Sequence, residues 1–337
     1  MNELQHLGSS ETTRAACSKK KMKAKTLKCK THFQDWLAGL IDGDGSFLVS
    51  KNGYTSCEIT VGEDEKDVLY RVKQKLGGSV TLRTGVRAYR WRLHNRKRML
   101  NLVSLVNNRL RFPIRQKQLE NVKNAPSLSS KEDTILSGPN INKHGGMMQK
   151  VHLKGTANKS ERFVESNDTG YSNSSTKKAV SGSLKSISNN YWLAGFFDAE
   201  GYLNVNRANL QCTITLSQKE ADILYNIQKE MGGAVHYDKS WQGYVYSASS
   251  KLDLEKWFSY FSTYALKCSK KVILLKRFKR IILFKSKRYH WKTSPLLYQQ
   301  RFRRLLERGW GIENPYPAHC VMHHSTMQEI HSLAYLR

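Results

Sequence analysis

The hydrophobic positions of this chain change period in the same order twice. The first run, THFQDWLAGLIDGDG from residue 31, has helical spacing, and Thr31 and Gln34 stand as a capping box at its start. FLVS then begins a strand, Asn52-Gly53 marks a hairpin, and TSCEITV returns. Over 64–76 the helical period comes back, with Val68, Leu69, Val72 and Leu76 on one face and Gly77-Gly78 as its stop. TLRTGVRAYRWRL reads as a second hairpin, followed by a helix over about 97–110 and another from about Ile114. The result is an αββαββα unit, an α+β fold in which helices cover one face of a four-stranded antiparallel sheet.

The same grammar recurs after residue 188. EITVGEDEKDVLYRVKQKLGGSVTLR (58–83) and TITLSQKEADILYNIQKEMGGAVHYD (213–238) align without a gap at an offset of 155. The strings LAGLIDGDG (37–45) and LAGFFDAEG (193–201) align at an offset of 156. The chain therefore divides into a basic N-terminal arm (1–30), a first repeat (31–124), a linker (125–187), a second repeat (188–285) and a C-terminal extension (286–337). The linker is rich in Ser, Asn, Lys and Gly and lacks apolar periodicity, which predicts a flexible coil.

Alternation along the strands sorts core from surface. Tyr89, Trp91 and Leu93 alternate with Arg90, Arg92 and His94, while Cys212, Ile214 and Leu216 alternate with Gln211, Thr213 and Thr215. Leu203 and Val205 likewise alternate with Asn204 and Asn206. The outer set, with Ser50, Lys51, Arg83 and Arg207 in the flanking turns, is made of residue types that contact phosphates and base edges. Charge supports that reading. With 56 Lys+Arg against 27 Asp+Glu the net charge is +29, which predicts salt-sensitive nucleic-acid binding through counterion release. The six cysteines form no CxxC pair and read as reduced structural thiols of an intracellular protein. No apolar run approaches the roughly 18–20 residues of a membrane span.

The repeated string carries the chemistry. On a helix, Gly39 and Gly43 share a face, as do Gly195 and Ala199, so two such helices can approach closely. If the two copies face each other, Asp44 and Glu200 meet at the pseudo-twofold axis. Paired carboxylates repel and call for a cation, and Mg²⁺ is the ion that carboxylates and phosphate oxygens share. A pair of such ions activates water and stabilises the leaving oxygen of a phosphodiester.

LAGLIDGDG and LAGFFDAEG resemble the two signatures of a single-chain LAGLIDADG homing endonuclease. The resemblance covers both repeats, but not the N-terminal arm, the linker or the last 50 or so residues. It implies a saddle-shaped pair of αββαββα units, packed through the motif helices, with the sheets against double-stranded DNA. It also implies a monomer, a double-strand break with short 3′ overhangs, and two or three Mg²⁺ ions shared between the half-sites, replaceable by Mn²⁺. The motif's last acid is the metal ligand, Asp44 in one copy and Glu200 in the other, while Asp42 and Asp198 orient the helices. A basic residue near the start of each unit's last helix faces the scissile phosphate, which points to Arg115 and Lys267. A water-positioning residue after the second strand corresponds to Gln218 and, in the first repeat, Glu63. The unequal pairs predict that the two DNA strands are cut at different rates. An intron-encoded protein of a mitochondrion or chloroplast is implied. The alternative is an RNA maturase on the same fold, with intron RNA as partner.

Three features carry weaker expectations. His319, Cys320, His323 and His324 match no zinc spacing. The basic run 270–288 reads as a closing helix, and YQQRFRRLLERG as one more helix.

Overall fold

The computed structural model describes residues 31–129 and 186–313. The N-terminal arm, most of the linker and the His319–Cys320–His323–His324 group lie outside the described residues.

The first repeat contains α1 (31–44), β1 (Gly45–Val49), β2 (Thr55–Gly62), α2 (Asp67–Leu76), β3 (Ser79–Leu82), β4 (Ala88–Leu93), α3 (Arg96–Val106), α4 (Pro113–Lys123) and a short α5 (Pro126–Ser129). The second contains α6 (Trp192–Glu200), β5 (Gly201–Val205), β6 (Cys212–Gln218), α7 (Asp222–Met231), β7 (Ala234–Asp238), β8 (Gly243–Ala248), α8 (Lys251–Thr263), α9 (Ser269–Ser286) and α10 (Leu296–Trp310). Each repeat builds one four-stranded antiparallel sheet, in the orders β1-β2-β4-β3 and β5-β6-β8-β7. This is the expected α+β pair of pseudo-symmetric units.

Local chemistry accounts for the elements. In α2 the four expected apolar residues are all buried, and the helix begins at Asp67 because Glu63–Glu65 first make a 3₁₀ turn. Gly77 and Gly78 have φ of +75° and +88°, and a Cβ on Gly78 would lie 2.6 Å from the Arg92 carbonyl oxygen. Only glycine fits both demands, and Gly232-Gly233 repeats the arrangement. The inward faces of β2, β4, β6 and β8 join one hydrophobic core that runs through both repeats.

Gln34 has a partner outside its own helix: its Oε1 accepts a hydrogen bond from Arg109 Nη2 at 2.8 Å, tying α1 to the connection between α3 and α4. One expectation is revised. Both ends of the expected linker are ordered. Ala125 and Leu128 are buried, and Arg96 Nε donates to the Ser127 carbonyl at 2.7 Å. On the far side Ile187 is buried, and Glu230 accepts the hydroxyls of Ser186 and Ser188 and the N–H groups of Ile187 and Ser188. The helix expected over YQQRFRRLLERG forms as α10 and packs on the fold. Phe302 and Leu306 of α10 are fully buried, and Trp310 Nε1 donates to the Leu203 carbonyl on β5 at 2.7 Å.

Candidate active site and nucleic-acid interface

The motif helices α1 and α6 meet backbone to backbone. A Cβ placed on Gly39 would lie 1.9 Å from the Trp192 carbonyl oxygen, and one on Gly195 would lie 1.9 Å from that of Trp36. One turn on, a Cβ on Gly43 would lie 2.4 Å from the Ala199 Cβ and 3.2 Å from the Glu200 Cγ. The small residues of the string are therefore the condition for this contact.

Reciprocal hydrogen bonds lock it. Trp36 Nε1 donates to Asp198 Oδ2 at 2.8 Å, and Trp192 Nε1 donates to Asp42 Oδ2 at 2.7 Å. Each aspartate also receives two backbone N–H groups within its own repeat: Asp42 from Arg111 and Phe112, Asp198 from Lys267 and Cys268. These are the residues just before α4 and α9, so one buried carboxylate fixes both the helix interface and the entry to the last helix. Burial pushes Asp42 up to about 7 and raises Asp198, against the hydrogen bonds that favour their charged forms.

At the ends of α1 and α6 the next acids converge. Burial, followed by the negative charge of Glu200, pushes Asp44 up to about 7; Glu65 adds to the rise, while Lys271 and Arg115 oppose it. Glu200 is raised by burial, against a hydrogen bond from Gln218 and the charges of Lys271 and Arg115. Two half-buried carboxylates held close together are the donor set of a hard divalent cation. Among the described residues no group of three or more His, Cys, Asp or Glu could hold a metal, so the two acids would leave further positions to water and phosphate oxygens. Arg115 adds a second sign of an anionic occupant. Its Nη1 donates to Gln118 Oε1 at 3.3 Å, but its buried Nε has no partner.

The basic partner of Arg115 is Lys271, not Lys267. The Asp42 and Asp198 contacts put Arg111 and Lys267 in equivalent positions, and four residues on come Arg115 and Lys271. The Lys267 ammonium lies over the rings of Trp36, Phe33 and Tyr191, at 4.4, 5.4 and 5.5 Å, as the Arg111 guanidinium lies 4.9 Å from Trp192. Lys267 and Arg111 thus clamp the helix interface. Lys271 is buried, and its Nζ donates to the carbonyls of Phe197, Asp198 and Ala199 at the end of α6, with Glu65 Oε2 at 3.8 Å.

Gln218 lies beside Glu200, whereas Glu63 is turned outward and pairs with Arg87 at 3.1 Å. The first-repeat acid that acts on Asp44 is Glu65, two residues further along.

On the sheets, Arg92, His94, Asn204, Asn206, Arg207, Gln211, Ser50, Lys51 and Arg83 are exposed, and Arg90, Thr213 and Thr215 half-buried. Strand register explains a local cancellation. Glu58 stands opposite Arg92 and its carboxylate pairs with both Arg90, at 3.3 Å, and Arg92. Other side chains hold turns: Ser50 Oγ accepts from the Tyr54 N–H, Asn206 Oδ1 from Ala208 and Asn209, and Arg207 reaches the Gly311 carbonyl.

A family model described as "LAGLIDADG endonuclease" matches residues 37–125 and again 193–282, more than half of the chain. The chain belongs to this family.

Among LAGLIDADG relatives, the probable intron-encoded endonuclease aI2 of Debaryomyces hansenii is 29% identical over 68% of this chain and 30% of its own length. The intron-encoded RNA maturase bI4 of Saccharomyces cerevisiae is 28% identical over 82% of this chain and 35% of its own. The chain spans about a third of the length of these relatives. Solved structures share the fold. The I-LtrWI LAGLIDADG homing endonuclease bound to target DNA gives a TM-score of 0.54 at 16% identity, over 83% of this chain and 98% of that one. I-SmaMI bound to cleaved DNA gives 0.51 at 16%, over 82% and 97%.

Two site residues of this LAGLIDADG chain, Lys271 and Glu65, escape the sequence pattern. Lys271 was recoverable by carrying the motif's offset of 156 through to Arg115. Glu65 carries no local signal, because only the tertiary fold brings the 3₁₀ turn of one repeat against α9 of the other.

Proposed function

We propose that this chain is an intron-encoded, site-specific DNA endonuclease that makes a double-strand break with short 3′ overhangs and promotes homing of its intron. The observation that supports it most is the retention of both motif acids, Asp44 and Glu200, beside Arg115 and Lys271 at the helix interface. Asp44 and Glu200 would hold Mg²⁺, which supplies Lewis-acid charge and lowers the pKa of water. Around it, Lys271 and Arg115 stabilise negative charge on the scissile phosphate, and Gln218 orients water on the side of Glu200. The exposed strand residues would read a long DNA site as a monomer. Similarity to intron-encoded relatives supports an organelle as its compartment.

The two halves differ: Asp44 against Glu200, Arg115 against Lys271, outward Glu63 against Gln218. The strands should therefore be cut at unequal rates. Incubation with Mg²⁺ and a plasmid carrying the uninterrupted host-gene junction should first accumulate nicked and then linear DNA. Asp44→Asn and Glu200→Gln should abolish both products. Simultaneous appearance of both cuts would overturn the asymmetry.

The similarity to a yeast RNA maturase supports a second reading, assistance to intron splicing. Tight binding of intron RNA without DNA cleavage under any divalent ion would favour it.

A further inference from the structure

The last two helices carry charge that the cleavage reaction does not use. Between α9 and α10 lies a groove of about 580 Å³. Arg277 and Arg280 of α9 line one side, and Arg301, Arg304 and Arg308 of α10 the other. Their spacing of three and four residues keeps each set on one helix face. Phe284 and Leu305 complete the lining, which contains no acid. Among the described residues none of the five arginines has a carboxylate partner. Arg277 Nη1 donates to the Arg308 carbonyl at 2.7 Å, which ties the two rows together without neutralising either.

Five guanidiniums facing one another without a counter-charge repel, and an anion in the groove relieves that repulsion. Guanidinium geometry favours phosphate, which it binds through paired hydrogen bonds. A volume of about 580 Å³ is of the size that holds one small ligand, so the groove admits a nucleotide or two of a single strand rather than a duplex. Phe284, half-buried against Tyr289 and Phe302, gives the groove an apolar side, and the guanidinium planes offer a base a face to stack on. Unpaired bases are what proteins usually read in RNA. Three of the five arginines also lie beyond the segment matched by the family, which ends at residue 282. We infer that the α9–α10 groove binds an unpaired RNA segment, with its phosphates on the arginines and a base against Phe284. Its lining shares no residue with the acids at the helix interface or with the strand residues named above, and the inference stands whether or not the chain cuts DNA.

The test is fluorescence anisotropy of the full chain with a short unpaired RNA over a salt series. The variant Arg280→Ala/Arg301→Ala/Arg304→Ala should bind the RNA at least about tenfold more weakly. Its salt slope should be shallower by about two, from roughly 0.7 per lost phosphate contact on a single strand. The corresponding triple lysine variant should keep the slope, and binding of duplex DNA should be unchanged in both. Undiminished RNA binding by the alanine variant would overturn the inference. So would an equal loss for duplex DNA, or a loss seen only with anionic phosphatidylserine vesicles.

Discussion

The indole N–H of Trp36 donates to Asp198 Oδ2 across the helix interface at 2.8 Å, and the same carboxyl receives the N–H groups of Lys267 and Cys268. One aspartate of the second repeat therefore couples the docking of α1 to the start of α9, and so to the position of Lys271 one turn on. Trp36→Phe keeps an aromatic ring but removes one of the two hydrogen bonds to Asp198 Oδ2, which retains the Lys267 N–H. It should cost about 1–3 kcal/mol of stability, read from the urea midpoint. An unchanged midpoint would show that the bond carries no net weight.

Backbone contact at Gly39 gives a sharper result. Gly39→Ala places a methyl 1.9 Å from the Trp192 carbonyl oxygen, where no side chain can yield. The loss should be about 3 kcal/mol or more. Gly62→Ala is the control, because nothing lies within 4 Å of its new Cβ. Equal unfolding midpoints for the two variants would contradict the close approach of α1 and α6.

Lys271 and Lys267 should separate by function. Lys271→Met should lower the rate of DNA cleavage by about 10²–10³, as expected for loss of one electrostatic contact to the transition state. Lys267→Met should leave cleavage within a few-fold and instead lower stability by about 0.5–2 kcal/mol, through loss of the contacts over Trp36, Phe33 and Tyr191. The reverse pattern in single-turnover and unfolding measurements would restore Lys267 to the site.

Acid should release the entry to the second repeat. Against the cost of partial burial, the hydroxyls of Ser186 and Ser188 and the N–H groups of Ile187 and Ser188 hold Glu230 down to about 2, below its ordinary 4.5. A depressed carboxylate contributes stability that is present above pH 4.5 and is lost as pH falls towards 2. Wild type should therefore exceed Glu230→Gln in melting temperature at neutral pH, and the gap should narrow between pH 4.5 and 2. A gap constant across that window would refute the assignment.

Periodicity, repetition and glycine placement were enough to read the two αββαββα units, the buried face of α2 and the meeting of LAGLIDGDG with LAGFFDAEG. These follow from interactions within a few residues or from a repeat visible along the chain. The helix contact itself could be foreseen because Gly39 and Gly195 have no other comparable use. What the chain alone left open is which polar groups meet. Lys267 and Lys271 are both basic and four residues apart; the motif's offset of 156 matches Lys271 to Arg115, and the carboxyl of Asp198, arriving from α6, is what holds Lys267 away from Asp44 and Glu200. Glu65 likewise enters through the contact of one repeat with α9 of the other, and Arg90 and Arg92 are partly neutralised by Glu58 on the neighbouring strand. Local backbone preferences act over a few residues, whereas Coulomb and hydrogen-bond partners are chosen by distance in space. Tertiary packing therefore decided the site's inner arrangement.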